Sequence, residues 1–276
     1  RATDLRSRNA GFATRLTPFI SNLTKGFPVF IAASLDCFPD LEFLDAIELA
    51  SDLEFTAVEI SLHETGIVRP SDLLSDVDRA IQMLRHTQRL EISVYNIELA
   101  STGQQHYEDF ATLCWLAKTT KVVSVTIPSS PLGTPFNEEV ERLEKLVKIG
   151  EAEGVRVSVR SQLDCLSEDP DTLMVLCNNV DGLGITLDPS VYIAGPANGK
   201  TLDNILKYVC NVQLRDTRPD AFQVSVGQGE VDYGKLVTQL EREKYDRSLV
   251  VNMLPMAEHD HRVELRKLRR LLETLI

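Results

Sequence analysis

Short runs in which apolar and polar residues alternate are separated along the chain by longer runs with helical periodicity. Alternation with a period of two is typical of strands, whereas apolar spacings of three and four are typical of amphipathic helices. The alternating runs predict eight strands, at residues 28–35, 55–61, 91–97, 121–127, 154–160, 183–188, 209–215 and 248–253. Helical patterns lie at about 40–53, 71–89, 105–119, 136–153, 169–178, 201–207, 232–244 and 258–275.

Regular alternation of strands and helices with short connections favours a parallel sheet, and eight such units fit closure into a barrel. No repeat, linker or low-complexity stretch divides the pattern. We therefore predict an α/β fold consisting of a single (β/α)8 TIM barrel over residues 28–276. An N-terminal extension of about 27 residues, 1–27, precedes it and contains two basic clusters.

Composition restricts the classes of partner. With 29 Lys and Arg residues against 41 Asp and Glu, the net charge is −12, which disfavours nucleic acid because phosphate neutralisation supplies most of that affinity. No apolar run approaches the roughly 18 residues of a membrane span, and the N-terminus lacks an apolar signal region. The five cysteines are widely spaced and form no Cys-x-x-Cys pair, so we interpret them as free thiols. We expect a cytoplasmic protein that binds neither nucleic acid nor membrane.

The parity of each predicted strand indicates which side chains face the pore, because alternate residues point inward and toward the helices. Active sites of TIM barrels lie at the C-terminal ends of the strands. The polar residues that this parity brings to that rim are Asp36, His63, Glu98, Arg160, Asp188, Gln213, Arg215 and Asn252. Glu59 faces the same way one step below the rim, and we interpret it as structural. Several charged groups at one barrel mouth predict a binding pocket.

Individual rim residues have alternative interpretations. His63 is the only histidine at a predicted strand end, which makes it the best acid–base candidate, although it also fits a surface-loop histidine. Asp188 precedes Pro-Ser and fits a turn cap as well as a site residue. Arg160 fits either an ion pair with Asp188 or a ligand-binding role. The amides of Gln213 and Asn252 suit hydrogen bonding and are poor general acids or bases.

Three segments resemble the sugar-phosphate isomerase/epimerase family, the xylose isomerase-like TIM barrels of the AP-endonuclease-2 superfamily. They are Gly-Leu-Gly-Ile-Thr-Leu-Asp-Pro-Ser at 182–190, Val-Gln-Leu-Arg-Asp-Thr at 212–217 and Val-Gly-Gln-Gly-Glu-Val-Asp-Tyr at 226–233. The resemblance implies isomerisation of aldoses or epimerisation beside a carbonyl. It also implies a divalent cation (manganese, magnesium, cobalt or zinc) held by Glu, Asp, His and Glu of the fifth to eighth strands.

This chain departs from the family pattern at most of the implied ligand positions. Asp188 is retained, but Arg160, Gln213 and Asn252 stand where the family has Glu, His and Glu, and Val191 replaces a family His. A hard divalent ion needs several oxygen or imidazole ligands, usually with compensating carboxylates. We therefore expect a degenerate metal site and no cofactor, with the Arg160 guanidinium filling the cation position and pairing with Asp188.

Two hypotheses for carbohydrate metabolism follow, and neither is excluded by the sequence. In the first, the barrel binds a small sugar or polyol phosphate without family-type metal catalysis, through Arg160, Arg215, Gln213, Asn252 and Gln228 of the Gly227–Gly229 loop. In the second, the protein is a divergent isomerase or epimerase acting on an aldose, a ketose or a keto-sugar. There Arg160 stabilises the developing oxyanion in place of the metal, and Asp188, His63 or Glu98 moves the proton.

A third hypothesis makes the chain a scaffold or a subunit of an assembly such as a homo-oligomer, through the N-terminal arm and the basic last helix. A DNA-repair endonuclease, which the superfamily also contains, requires a histidine-rich metal centre and a basic face, and the sequence has neither.

Overall fold

Eight parallel strands close into a barrel in the computed structural model, which describes residues 29–276. The barrel strands, in order around the wall, are β1 (Phe30–Ser34), β2 (Ala57–Leu62), β3 (Glu91–Ile97), β4 (Ser124–Pro128), β5 (Arg156–Arg160), β6 (Gly184–Leu187), β7 (Val209–Leu214) and β10 (Ser248–Val251). Pairing of β1 with β10 closes the circle. The predicted TIM barrel is confirmed, while the predicted N-terminal extension, residues 1–27, lies outside the described residues.

Helices surround the barrel. They are α1 (Phe43–Asp52), α2 (Pro70–Ser75), α3 (Val77–Leu84), α4 (Gly103–Thr119), α5 (Phe136–Ala152), α6 (Pro170–Asn179), α7 (Pro189–Ala194), α8 (Tyr233–Arg242) and α9 (His261–Glu273). In the part of the chain that the structure describes, no helix is both long and apolar enough to cross a membrane. All five cysteines are buried and free, as expected.

Two predicted helices differ from the structure. The run 71–89 is split into α2 and α3 because Asp76 leaves the helical conformation and its side chain accepts a hydrogen bond from the Arg79 amide, which starts a new helix. Residues 201–207 do not form an α-helix; the segment ends in a short 3₁₀ turn at Leu206–Tyr208. The helix after β6 is instead α7, which starts at Pro189, where a proline is well tolerated in the first turn.

Apolar and polar side chains both fill the barrel pore. Ala32, Ala57 and Val250 form a small buried cluster separate from the main core. On β4, β5 and β6, the hydroxyls of Thr126, Ser158 and Thr186 bond to one another at 2.7–3.2 Å. The intervening apolar residues of the same strands, Val157, Val159 and Ile185 among them, pack in the main core with the helices. The predicted parity of β5 and β6 is therefore confirmed.

An antiparallel hairpin, which the sequence pattern did not predict, follows β7 and consists of β8 (Asp216–Arg218) and β9 (Ala221–Val224). Asp216 is buried at its base, and one of its oxygens accepts hydrogen bonds from the amides of Gly227 at 2.7 Å and Gly229 at 2.9 Å. The carboxylate thus connects the hairpin to the glycine-containing loop at 226–233, and the hairpin holds Phe222 at the barrel mouth.

Gly229→Ala should destabilise the protein, because a Cβ at this position would lie 2.0 Å from an oxygen of Asp216 and 2.6 Å from the backbone nitrogen of Thr217. We expect a loss of about 1–3 kcal/mol in the free energy of unfolding, measured by urea denaturation, since such overpacking forces backbone shifts. Gly234→Ala in α8 is the matched control: its Cβ would meet no atom closer than 3.7 Å, so stability should be unchanged or rise by up to about 1 kcal/mol. Equal stability of the two variants would contradict this role of Asp216.

Candidate functional site

A cavity of about 520 Å³ opens at the C-terminal mouth of the barrel. Its wall contains residues from the ends of β1, β2, β5, β6, β7 and β10, together with Phe222 of the hairpin. Among the rim residues predicted from parity, seven line it: Asp36, His63, Arg160, Asp188, Gln213, Arg215 and Asn252. Barrel closure therefore brings together residues that are up to 216 positions apart in sequence.

Asp36 and His63 form a pair across the ends of β1 and β2. The His63 Nε2 atom lies 3.3 Å from one oxygen of Asp36, and the Ser61 hydroxyl donates to the other at 2.7 Å. Burial disfavours the charged form of Asp36, yet the hydrogen bonds from His63 and Ser61 lower its pKa overall. The hydrogen bond to Asp36 raises the pKa of His63 against a smaller effect of burial. These shifts favour an aspartate–imidazolium pair.

A glycine keeps space for the His63 ring. Gly66 closes a tight turn by donating its amide to the His63 carbonyl at 3.0 Å. A Cβ on Gly66 would lie 2.6 Å from Nε2 and 2.8 Å from Cε1 of His63, so any larger residue would displace the imidazole from Asp36. The sequence pattern does not predict this contact, because Gly66 lies in a loop and approaches the His63 ring only in the folded protein.

Arg160, at the end of β5, is held mainly by neutral groups. Its guanidinium donates to the side-chain oxygens of Gln162 at 2.8 Å and Asn96 at 3.3 Å. Within residues 29–276, its one carboxylate partner is Glu98 at 3.4 Å, whose side chain is 57% exposed. Solvent screens such an exposed pair strongly. The Glu98 carboxylate therefore compensates the positive charge of Arg160 only weakly.

Asp188 and Arg215 form a buried ion pair. The Arg215 Nη2 atom donates to Asp188 at 3.1 Å, with the two side chains 11% and 4% exposed. The other Asp188 oxygen accepts from the Ser190 amide at 2.9 Å and caps α7, so the turn-cap interpretation of Asp188 is confirmed. The guanidinium of Arg215 also lies 4.9 Å from the centre of the Phe222 ring, a cation–π geometry.

The expected ion pair between Arg160 and Asp188 is wrong, because Arg215 is the partner of Asp188. Arg215 directly follows β7, the strand next to β6, and reaches the Asp188 carboxylate over the short distance between neighbouring strands. Arg160 turns instead toward β3, where Asn96 and Glu98 accept its hydrogen bonds. Strand parity gave no information about this choice between two arginines.

Glu59 is fully buried in the pore beneath the cavity. Its two oxygens accept hydrogen bonds from the side-chain amides of Asn211 at 2.9 Å and Gln213 at 2.6 Å. Burial, followed by the charge of Asp36, raises the pKa of Glu59 to about 7 even though the amide hydrogen bonds act in the opposite direction. Its inward parity was visible in the sequence, but its contact with the Gln213 amide was not.

Two predicted site residues do not line this cavity. Glu98 is largely exposed and contacts the site only through Arg160. Gln228 is exposed in the 226–233 loop, whose glycines bind the Asp216 carboxylate through their backbone amides. The Gly-Gln-Gly segment therefore has a structural connection to the hairpin, and a ligand-binding role for Gln228 stays a prediction.

The side chains at the mouth do not fit the family's divalent cation. Asp188 is already bound by Arg215 and the Ser190 amide, and the neighbouring side chains of the cavity wall, Arg160, Gln213 and Asn252, supply no carboxylate or imidazole. A guanidinium at the site would repel a second cation. Within residues 29–276, no group of three or more His, Cys, Asp or Glu side chains is arranged to hold a metal ion.

Comparison with known proteins identifies others with this barrel architecture. A family model described as xylose isomerase-like TIM barrel matches residues 47–272. A D-psicose 3-epimerase from Clostridium cellulolyticum, solved with D-tagatose, superposes with a TM-score of 0.69 at 13% identity, covering 89% of this chain and 99% of that one. No curated protein sequence matches the chain significantly.

Two further solved structures have the same architecture. A xylose isomerase-like TIM barrel protein from Mycobacterium smegmatis, in complex with magnesium, has a TM-score of 0.70 at 15% identity and covers 89% of this chain and 96% of that one. The probable 3-DHS dehydratase AsbF from Bacillus anthracis has a TM-score of 0.68 at 14% identity, with coverages of 88% and 98%. At these identities the likeness shows a shared fold.

Asp36→Asn should lower the pKa of His63, because it removes the carboxylate charge and weakens the hydrogen bond that raises this pKa. The measurement is an NMR titration of the His63 ring protons in the wild type and the variant. The pKa of a histidine in the unfolded chain is about 6.5. A higher pKa in the folded protein stabilises the fold fully at pH values below about 6.5, and this stability should be lost as the pH rises through the folded pKa. Asp40→Asn, an exposed residue of the same loop, is the control and should leave the titration unchanged. An unchanged His63 titration in Asp36→Asn would disprove the pairing.

Proposed function

Because the chain belongs to the xylose isomerase-like TIM barrel family, we propose that its barrel mouth binds a small polyhydroxylated anion, namely a sugar or polyol phosphate. In this proposal Arg160 anchors the anionic group, and the family's divalent cation takes no part. The observation that carries the proposal is the position of the Arg160 guanidinium in the cavity wall with mainly neutral partners.

The charges around the cavity support an anionic ligand. Asp36 faces His63, and Asp188 faces Arg215, so each of these carboxylates has a cationic or protonatable partner. Among the described residues, the one carboxylate within 4 Å of the Arg160 guanidinium is the exposed Glu98, at 3.4 Å. A phosphate placed against Arg160 would receive paired N–H donors from a planar fork, which is the geometry that guanidinium groups offer to phosphate and carboxylate oxygens.

Neutral groups in the same wall suit the hydroxyls of a sugar or polyol. Asn252 is 8% exposed, and its side chain has no hydrogen-bond partner among residues 29–276. Gln213 and Ser161 also line the cavity. The volume of about 520 Å³ lies within the range usual for small-molecule sites. The named sugar epimerases among the structural neighbours, including the D-psicose 3-epimerase, agree with a carbohydrate ligand.

Arg160→Gln should weaken the binding of sugar phosphates by about tenfold or more, since a hydrogen bond to a charged group contributes roughly 1.5–3 kcal/mol. Isothermal titration calorimetry with ribose 5-phosphate, ribulose 5-phosphate, glucose 6-phosphate and the corresponding unphosphorylated sugars measures the effect. The unphosphorylated sugars should bind the wild type and the variant within about threefold of each other, because they carry no group for Arg160.

Arg85→Gln is the matched control. Arg85 lies at the end of α3, does not line this cavity and carries the same charge, so its replacement should leave binding unchanged. Equal weakening in both variants would indicate a general charge effect, and unchanged affinity in Arg160→Gln would refute the proposal.

A second candidate function is metal-independent isomerisation or epimerisation, which is favoured by the Asp36–His63 pair in the cavity wall. Here the imidazole would accept the proton from the carbon beside a carbonyl and return it to the product, while Arg160 stabilises the oxyanion. The His63 Nδ1 atom lies 3.0 Å from the Thr65 hydroxyl, which lines the cavity and offers a route for the proton. The raised pKa of His63 favours its acid form, which makes binding the leading proposal.

Turnover would exchange the hydrogen on the carbon beside the carbonyl of ribulose 5-phosphate or D-tagatose for deuterium from D₂O. Proton NMR in the presence of a chelator measures the rate of this exchange. His63→Asn should reduce the rate by about 10²–10⁴-fold, the usual contribution of a general acid–base group. Asp188→Asn should also abolish it by breaking the ion pair with Arg215. His86→Asn, an exposed histidine outside the cavity, should retain the wild-type rate. Loss of uptake on adding the chelator would contradict a metal-independent reaction.

A further inference from the structure

Glu59 sits at the centre of a buried hydrogen-bond chain under the cavity. Its carboxyl group accepts from the Nδ2 atom of Asn211 and from the Nε2 atom of Gln213. Asn211 has a second bond, because its side-chain oxygen accepts from the Ser248 hydroxyl at 3.1 Å. Gln213 is 1% exposed and lines the cavity, and its side-chain oxygen has no hydrogen-bond partner among the residues that the structure describes.

The charge state of Glu59 determines whether the nitrogen or the oxygen of the Gln213 side-chain amide faces it. An ionised carboxylate can only accept hydrogen bonds, whereas a glutamine amide has a donor nitrogen and an acceptor oxygen. At the 2.6 Å separation between Glu59 and Gln213, two oxygens in contact would repel each other. The Gln213 amide nitrogen therefore faces Glu59 when this carboxyl is ionised, above its pKa of about 7, and the carbonyl oxygen is left toward the cavity.

We propose that Glu59 is a specificity-determining positioning residue, which holds Gln213 so that its carbonyl oxygen is presented to the cavity as a hydrogen-bond acceptor. A carbonyl oxygen that faces the cavity can only accept a hydrogen bond, so it favours a ligand group that donates and disfavours an anionic oxygen. The ligand group that fits this position is a hydroxyl. Arg160, by contrast, is on β5 and receives the anionic group, so the two residues orient the ligand.

The proposal goes beyond the proposed ligand class and partly rests on it. The orientation of the Gln213 amide is a property of the protein alone, whereas the pairing with a ligand hydroxyl assumes that the cavity binds a polyhydroxylated ligand. The two parts can be tested separately, so failure of one is distinguishable from failure of the other.

Glu59→Gln is the informative variant because it is nearly isosteric and changes only the donor–acceptor pattern. The new amide has one oxygen and one nitrogen, so it cannot accept from both Asn211 and Gln213. Asn211 is also held by Ser248, whereas Gln213 has no second bond in the described residues. Gln213 should therefore rotate its amide, turn its carbonyl to the new nitrogen and expose its own N–H₂ group to the cavity.

NMR on the ligand-free protein labelled with ¹⁵N-glutamine tests this rotation directly. In the wild type, at a pH above the Glu59 pKa of about 7, the Gln213 side-chain N–H₂ protons should exchange slowly with water because both Glu59 and burial protect them. In Glu59→Gln, exchange should become faster by about tenfold or more, the factor expected for loss of one hydrogen bond. The side-chain signals of Gln239, which lies on α8 outside the cavity, are the internal control.

Equal exchange of the Gln213 amide in the two proteins would overturn the proposal. So would rapid exchange in the wild type, since that places the N–H₂ group toward the cavity already. The wild-type measurement decides the orientation even if Glu59→Gln does not fold, and Gln213→Met provides the assignment of the signal.

Ligand discrimination tests the consequence for specificity. For glucose 6-phosphate and its monodeoxy analogues, the wild type should bind at least one analogue about tenfold more weakly, because one ligand hydroxyl loses its acceptor. Glu59→Gln should reduce that preference to about twofold or less. It should have no further effect in a Gln213→Met background, because the effects of residues that act through one another are not additive.

Retained discrimination in Glu59→Gln, or additive effects of the two substitutions, would refute the specificity role. A normal Arg160 effect on phosphate binding alongside either result would leave the proposed function intact.

Discussion

Closure of the eight-stranded barrel is the constraint on which the rest of the structure depends. Once β1 pairs with β10, every second residue of each strand must enter a single shared pore. Small apolar residues of β1, β2 and β10 share that pore with hydroxyls of β4, β5 and β6 that satisfy one another. The longer polar side chains at the C-terminal ends of the strands meet at its mouth.

Charge pairing explains how so many ionisable groups share one mouth. Asp36 is compensated by His63, and Asp188 by Arg215, which limits the cost of burying each carboxylate. Glu59 lies deeper, and two effects reduce the cost of burying it. The amides of Asn211 and Gln213 donate hydrogen bonds to its charged form, while burial raises its pKa to about 7 and makes the neutral form accessible. Among the described ionisable groups of the mouth, Arg160 is the exception, because its partners are mostly neutral.

Asp188 has a structural role at the mouth of the barrel. It caps α7 and anchors Arg215, so its carboxylate has protein partners that do not depend on a bound cation. Gln213 and Asn252 bring amides to the cavity wall, and amides offer directional hydrogen bonds with little charge. This wall agrees with the polar ligand proposed above.

The sequence by itself determined the barrel, the bounds of most of its strands and the parity that brought seven polar residues to one mouth. Those features depend on local periodicity, which each segment carries independently of its neighbours. Tertiary structure alone decided the pairings: Arg215 with Asp188, Arg160 with Asn96 and Gln162, Gly66 against the His63 ring, and Glu59 with the Gln213 amide. Parity places a side chain inside the pore, but its partner depends on strand stagger, rotamers and loop positions that are fixed only when the whole barrel closes.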